Sequence, residues 1–275
     1  MPQATVNGIE LHYRDVGEGF PVVLVHGYTG NSRNWALTAP VLAERFRAIS
    51  VDLRGHGLSA KPTAPEDYTL EAMAGDVGAL LAHLGVRDCC LVGHSMGGMV
   101  VQALALSQPE LARALVLVDT AAEAPRGKMW EERRAWRERM VQLAEEQGME
   151  AVFDEMARAT PMPPAFNDRP EYLKVWREQF LMTSREAYIH CARMMAERRP
   201  LLDELRRLTV PVLIVCGSED EPFIEPSRRM HEAIAGSRLE VIQGAGHSPQ
   251  MEAPREFNRV LLEFLSRVTE TSPAR

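Results

Sequence analysis

The chain opens on an alternating stretch. Residues 5–15 read as an amphipathic strand pair turning at Asn7-Gly8, a dipeptide that accepts the positive φ angles of a tight hairpin. The pattern then becomes continuous. Pro21-Val22-Val23-Leu24-Val25 is a short β-branched apolar run, as expected of a strand buried on both faces. Similar runs follow at Phe46 to Asp52, Cys89 to Val92, Ala114 to Val118 and Val210 to Val215, and Leu239-Glu240-Val241-Ile242 stands ready to follow the last. Helical spacing fills the gaps. Leu70, Met73, Val77, Leu80, Leu81 and Leu84 form one stripe, with Thr69 as its N-cap and Gly85 just past its end. Met99 to Leu106 forms a second helix, closed by Pro109. Strands and helices alternating at this spacing predict a mostly parallel sheet covered on both faces.

The alternation stops after Asp119. From Gly127 to Arg199 only helical spacings occur: Met129, Trp136, Met140 and Leu143; Val152, Phe153 and Met156; Tyr172, Trp176 and Phe180; Tyr188, Cys191, Ala192 and Met195. Gly148, Pro161-Met162-Pro163-Pro164 and Thr183-Ser184 punctuate them. The strand pattern resumes at Val210. The expectation is one α/β domain, residues 1–120 and 206–275, interrupted by a helical insertion at 121–205, with a frayed tail from Thr269.

Composition narrows the class. The 275 residues are 45% apolar and 25% charged, which suits a folded domain rather than a disordered chain. With 31 basic against 38 acidic residues the net charge is −7, which argues against a nucleic-acid surface. Cys89, Cys90, Cys191 and Cys216 match neither a disulfide framework nor a zinc site. The first residues lack the basic and apolar regions of a signal peptide, and no apolar run is long enough to span a membrane. A cytoplasmic enzyme or binding protein without metal, cofactor, nucleic-acid or membrane partner is therefore expected. One asymmetry stands out: residues 121–205 hold 8 of the 14 Met and 3 of the 4 Trp.

Candidate chemistry centres on Gly93-His94-Ser95-Met96-Gly97-Gly98. The motif lies directly between a strand and a helix, where a tight turn lifts Ser95 above the sheet at the positive end of the helix. A serine hydroxyl needs a base, and the base needs an orienting acid. Of eight histidines, His247 in Gly244-Ala245-Gly246-His247-Ser248-Pro249 follows the last strand and can reach the sheet top. His83, His190 and His231 sit in helical patterns and read as solvated or packing residues, and His26 reads as a structural hydrogen-bonding group. For the acid, Asp220 follows the Val210–Val215 strand; Glu219, Glu221 and above all Asp119 compete with it. An oxyanion needs backbone N–H donors. Met96 at the helix start and Tyr28 in His26-Gly27-Tyr28-Thr29-Gly30 are placed to supply them.

Together with Asp52-Leu53-Arg54-Gly55-His56-Gly57-Leu58-Ser59, Gly217-Ser218-Glu219-Asp220 and Gly246-His247-Ser248-Pro249-Gln250-Met251-Glu252, these motifs make the chain resemble the α/β-hydrolase superfamily over nearly its whole length. The resemblance implies a mostly parallel eight-stranded sheet flanked by helices, with an all-helical cap inserted after strand six. It implies Ser95 as nucleophile, Asp220 as acid, His247 as base, and Tyr28 and Met96 as oxyanion donors, with no cofactor. In family terms the Asp52–Ser59 loop is structural. Epoxide hydrolases and haloalkane dehalogenases place an aspartate where this chain has Ser95. Carbon–carbon bond hydrolases typically place an aromatic residue where it has Ser248.

The expected activity is hydrolysis of small to medium apolar carboxylic esters through an acyl-enzyme. Carbon–carbon bond hydrolysis and enol-lactone hydrolysis are the alternatives within enzymes, and a non-catalytic ligand-binding relative is the alternative outside them. Met and aromatic stripes usually pack a helical core. Trp136, Met140, Trp176, Phe180 and Met195 are nevertheless the candidates for facing Ser95 and lining an apolar pocket. Arg134, Arg137, Arg139 and Arg193 read as solvated charges, any one of which could hold a substrate carboxylate.

Overall fold

The computed structural model describes residues 2–124, 126–159, 163, 166 and 171–270. Eight strands form one sheet: β1 Gln3–Val6, β2 Ile9–Val16, β3 Phe20–Val25, β4 Phe46–Val51, β5 Cys89–His94, β6 Ala112–Val118, β7 Val212–Gly217 and β8 Arg238–Ile242. Their spatial order is β1-β2-β4-β3-β5-β6-β7-β8. β1 and β2 are the hairpin anticipated at Asn7-Gly8, whose φ angles are 48° and 78°. β2 also runs antiparallel to β4, and every later pairing is parallel.

The continuous apolar runs occupy the sheet centre because both faces there are covered. Val23, Val25 and Leu91 point to one face and pack against Met73, Val77, Val100 and Leu104. Val22, Leu24, Cys90 and Val92 point to the other and meet Trp35, Phe257, Leu261 and Phe264. The helices are α1 Ala39–Leu42, α2 Leu70–His83, α3 Met96–Ser107, α4 Lys128–Gln147, α5 Met149–Ala159, α6 Tyr172–Phe180, α7 Arg185–Glu197, α8 Leu202–Leu205, α9 Glu221–Ala233, α10 Pro249–Glu252 and α11 Pro254–Glu270. Thr69 caps α2 by accepting the Ala72 N–H, and Gly85 leaves the helix at φ 69°. All four cysteines are buried and free.

Between β6 and β7 the described residues contain helices only, α4 to α8. Met140, Val141, Val152, Phe153, Phe180, Tyr188 and Ile189 give α4 to α7 a core of their own. Hydrogen bonds that tie this layer to the sheet's carboxyl end include Tyr28 hydroxyl to Tyr188 carbonyl (2.5 Å) and Ser184 N–H to Gly55 carbonyl (2.9 Å). Of the Pro161–Pro164 run only Pro163 is described, and residues 271–275 of the tail lie outside the described residues. Among the described residues no helix is long and apolar enough to cross a membrane.

Candidate active site

β3 sits between β4 and β5, so the chain leaves it in one direction and later returns on the other side. In an open parallel sheet such a reversal leaves a crevice at the strand carboxyl ends. Gly27 and Tyr28 follow β3 there, and Ser95 follows β5.

Ser95 is held at φ 52°, ψ −116°, a conformation that costs a non-glycine residue about 1–3 kcal/mol. Its surroundings enforce it. The Ser95 N–H donates to the Val118 carbonyl (2.8 Å), and the Thr120 hydroxyl donates to the Ser95 carbonyl (2.7 Å). The flanking glycines remove side chains that would collide: a Cβ on Gly93 would strike the Gly97 carbonyl, and one on Gly97 the Val25 and His26 carbonyls.

Three residues from three strand ends meet at this turn. His247 Nε2 lies 3.0 Å from Ser95 Oγ, and His247 Nδ1 lies 2.7 Å from Asp220 Oδ2. With Nδ1–H donating to Asp220, Nε2 is left as an acceptor for the serine hydroxyl. Burial opposes the charge on Asp220, but His247 above all, with Asp119 and His94, offsets it and holds the carboxyl below the usual range. Such a line can accept a proton from Ser95 and return it to a leaving group.

Asp119, the rival acid, takes a different place. It is fully buried at φ 42°, and its Oδ1 accepts the Gly217 N–H (2.9 Å). Burial, and then the negative charge of Asp220, push its carboxyl well above the usual range. The two carboxyls are thus pushed in opposite directions. Potential ligand atoms of Asp119, Asp220 and His247 lie within 4.8 Å of one another. A metal there would have to displace the His247–Asp220 and Asp119–Gly217 hydrogen bonds.

Tyr28 lines the same cavity as Ser95, and Met96 follows Ser95 in the chain. Met96 opens α3, so its N–H belongs to the unpaired first turn. Among the described residues neither the Tyr28 nor the Met96 N–H donates to a protein acceptor. His26 is structural: its Nε2 accepts the Leu53 N–H (3.0 Å), so its Nδ1 donates to the Gly27 carbonyl (2.8 Å). The Asp52–Ser59 loop is structural too. Asp52 accepts N–H groups from Ser32 (2.6 Å) and Leu58 (2.9 Å), and Arg54 makes a two-pronged ion pair with Asp76 (2.6 and 2.8 Å).

Two residues were not legible as part of this site. His94, inside the Ser95 motif, bonds the His247 carbonyl through Nε2 (2.6 Å), and burial together with His247 pushes its pKa down to about 3. Glu252 accepts the N–H groups on both sides of His247, from Gly246 (2.7 Å) and Ser248 (2.8 Å). Glu252 lay in a quoted motif, and a carboxylate five residues past the histidine was its only signal.

Above Ser95 lies a cavity of about 340 Å³. Trp136, Trp176 and Met195 line it as anticipated, joined by Trp130, Met156, Tyr172 and Tyr188. Met140 and Phe180 do not. They pack in the core of α4 to α7, 6% and 0% exposed, because their helix faces turn toward neighbouring helices rather than toward Ser95. Arg134 and Arg137, read as solvated, also line the cavity, with Arg133 and Arg198. Arg193 is a surface charge paired with Glu145.

Comparison with known proteins agrees with this geometry. A thermophilic esterase from Thermogutta terrifontis, solved with malate bound, is 33% identical and superposes with a TM-score of 0.85, covering 97% of this chain and 98% of the other. An enol-lactonase from Burkholderia xenovorans is 30% identical with a TM-score of 0.86, covering 96% and 100%. A 3-oxoadipate enol-lactonase of Acinetobacter baylyi is 29% identical over 96% of both chains. The family model of the alpha/beta hydrolase fold matches residues 21–254. The resemblance seen in the motifs is thus borne out by sheet, sequence and relatives alike: the chain belongs to the α/β-hydrolase family.

Proposed function

We propose that this hydrolase cleaves carboxylic esters of small to medium size, with Ser95 as nucleophile, His247 as general base and Asp220 as the acid that orients it. The observation that carries the reading is the line from Asp220 through His247 to Ser95, with hydrogen bonds of 2.7 and 3.0 Å, at the floor of the cavity. His247 takes the hydroxyl proton as Ser95 attacks the carbonyl. The Tyr28 and Met96 N–H groups stabilise the oxyanion. The same imidazole protonates the departing alcohol, then activates the water that frees the acyl group. Residues 121–205 act as a cap on a core formed by residues 1–120 and 206–275. The tryptophan and methionine walls suit the apolar part of a substrate.

A lactone is a cyclic ester, so enol-lactone hydrolysis needs no new chemistry. The likeness to two enol-lactonases supports it as the second reading. A panel of chromogenic esters of increasing acyl length, enol-lactones and a vinylogous diketone tests both. Turnover of esters or lactones is expected. Turnover confined to the diketone would assign carbon–carbon bond hydrolysis instead.

A further inference from the structure

Ester cleavage at Ser95 requires no positive charge in the cavity wall, yet Arg133, Arg134, Arg137 and Arg198 stand there, and among the described residues no Asp or Glu lines it. The protein as a whole carries −7, so this concentration of cations runs against its overall field. Five other arginines of the same helical region, Arg158, Arg177, Arg185, Arg193 and Arg199, each pair with a glutamate. Among the described residues no carboxylate comes within ion-pair distance of the four cavity arginines. Glu123, near Arg198, is bound to Arg229.

Two of the four are also held in place. Arg198 donates to the carbonyls of Met195, Ala121 and Glu123, while its Nε is buried without a partner. Burial and the charge of Arg137 lower the Arg198 pKa to about 10, so it stays charged at neutral pH but at a cost. Arg133 lies 5.5 Å over the Trp130 ring. Trp130 meets Phe223 edge-on (5.6 Å), and Phe223 lies against His247 (4.8 Å). Arg137 lines the same cavity as Tyr28, Tyr188, Arg133 and Arg198. Asp220 and Glu123 act on Arg133 and Arg198 only from beyond ion-pair distance; guanidinium groups that repel one another without a paired acid are stabilised by a planar anion placed between them.

We propose that Arg137 and Arg198, with Arg133 beside them, form a carboxylate-binding site, so that the natural substrate is an ester or lactone carrying a free carboxylate. The proposal rests on the hydrolase reading above, because the site shares its cavity with Ser95. The carboxylate anchors the far end of the substrate, its apolar body lies along Trp136 and Trp176, and the scissile carbonyl reaches Ser95.

The test compares two aryl esters of equal length, the nitrophenyl hemiester of glutaric acid and its methyl-capped neutral counterpart. The hemiester is expected to have the higher kcat/KM, by about tenfold or more; a net-negative protein without such a site would disfavour it. Arg137→Gln should lower that ratio by about tenfold, chiefly through KM, and Arg193→Gln should leave it unchanged. Arg198→Gln should lower it too, but Arg198 also holds three carbonyls, so Arg137→Gln is the deciding variant. A ratio of one or less, with turnover of both esters lost in Ser95→Ala, overturns the carboxylate site and spares the hydrolase reading. A high ratio that Arg137→Gln leaves intact overturns the assignment of these arginines. No Ser95-dependent turnover of either ester overturns both.

Discussion

At Asp220 and Asp119 two buried carboxyls of the same type are pushed in opposite directions. Burial opposes the charge on both; the His247 imidazole counters it at Asp220, while the charge of Asp220 adds to it at Asp119. Their substitutions should therefore differ. Asp220→Asn should lower kcat by about 10³–10⁴, because an amide carries no charge to stabilise the imidazolium and can donate to Nδ1, which favours the wrong imidazole tautomer. Asp119→Asn keeps an oxygen to accept the Gly217 N–H and, with the carboxyl pushed toward its neutral form, gives up little charge, so kcat should stay within about threefold. Steady-state hydrolysis of a simple ester measures both, and equal losses would contradict the assignment. The sequence alone left this choice open, since each aspartate follows a strand. Ser95 and His247 were legible because glycine spacing betrays the turn that exposes each. His94 and Glu252 escaped because they act on the backbone around His247, 153 and 5 positions away, and such contacts leave no periodic pattern.

The elements were legible wherever burial is one-sided or complete, and less so where glycine or proline interrupts. α3 begins at Met96, three residues before the apolar spacing suggested. Gly97 and Gly98 weaken the helical signal there, and close packing against β3 and Thr120 requires them. α9 likewise begins at Glu221 and carries Pro226 inside it. In α4 to α7 the spacing located the helices but could not say which apolar side chains face each other and which face the sheet, because that depends on how the helices are rotated. Phe180 shows the consequence. It is fully buried against Phe153 (5.6 Å) and Tyr188 (5.9 Å). Phe180→Ala should destabilise the protein by about 3–5 kcal/mol by opening a cavity, as read from denaturant unfolding. Trp176→Ala, on the cavity wall, should cost less stability and shift KM instead.

Across the whole molecule, parallel strands β5 to β8 lie side by side, and their carboxyl ends bring Ser95, Asp220 and His247 together across 152 residues of chain. Order along the chain anticipated this; the charge of the cavity could not be anticipated, since it arises from which helix face turns inward. The same compactness makes the fold sensitive to acid. His56 and His94 are buried, and burial pushes the pKa of each down to about 3, against about 6.5 when unfolded. The unfolded chain thus binds protons that the folded chain refuses between pH 6.5 and 3. Stability present above pH 6.5 is lost through that window, by up to about 1.4 kcal/mol per pH unit for each histidine. Urea midpoints should fall steadily from pH 6.5 to 4, and His56→Gln should flatten the slope; a flat profile would contradict the buried neutral histidines.

The most direct measurement is intact-mass analysis after treatment with a serine-directed fluorophosphonate, paired with ester turnover for the unmodified protein and Ser95→Ala. The expected result is one adduct, located on Ser95, with turnover abolished by the label and reduced by a factor on the order of 10³ or more in Ser95→Ala. Full activity in Ser95→Ala, or an adduct at another serine with turnover intact, would contradict Ser95 as the nucleophile.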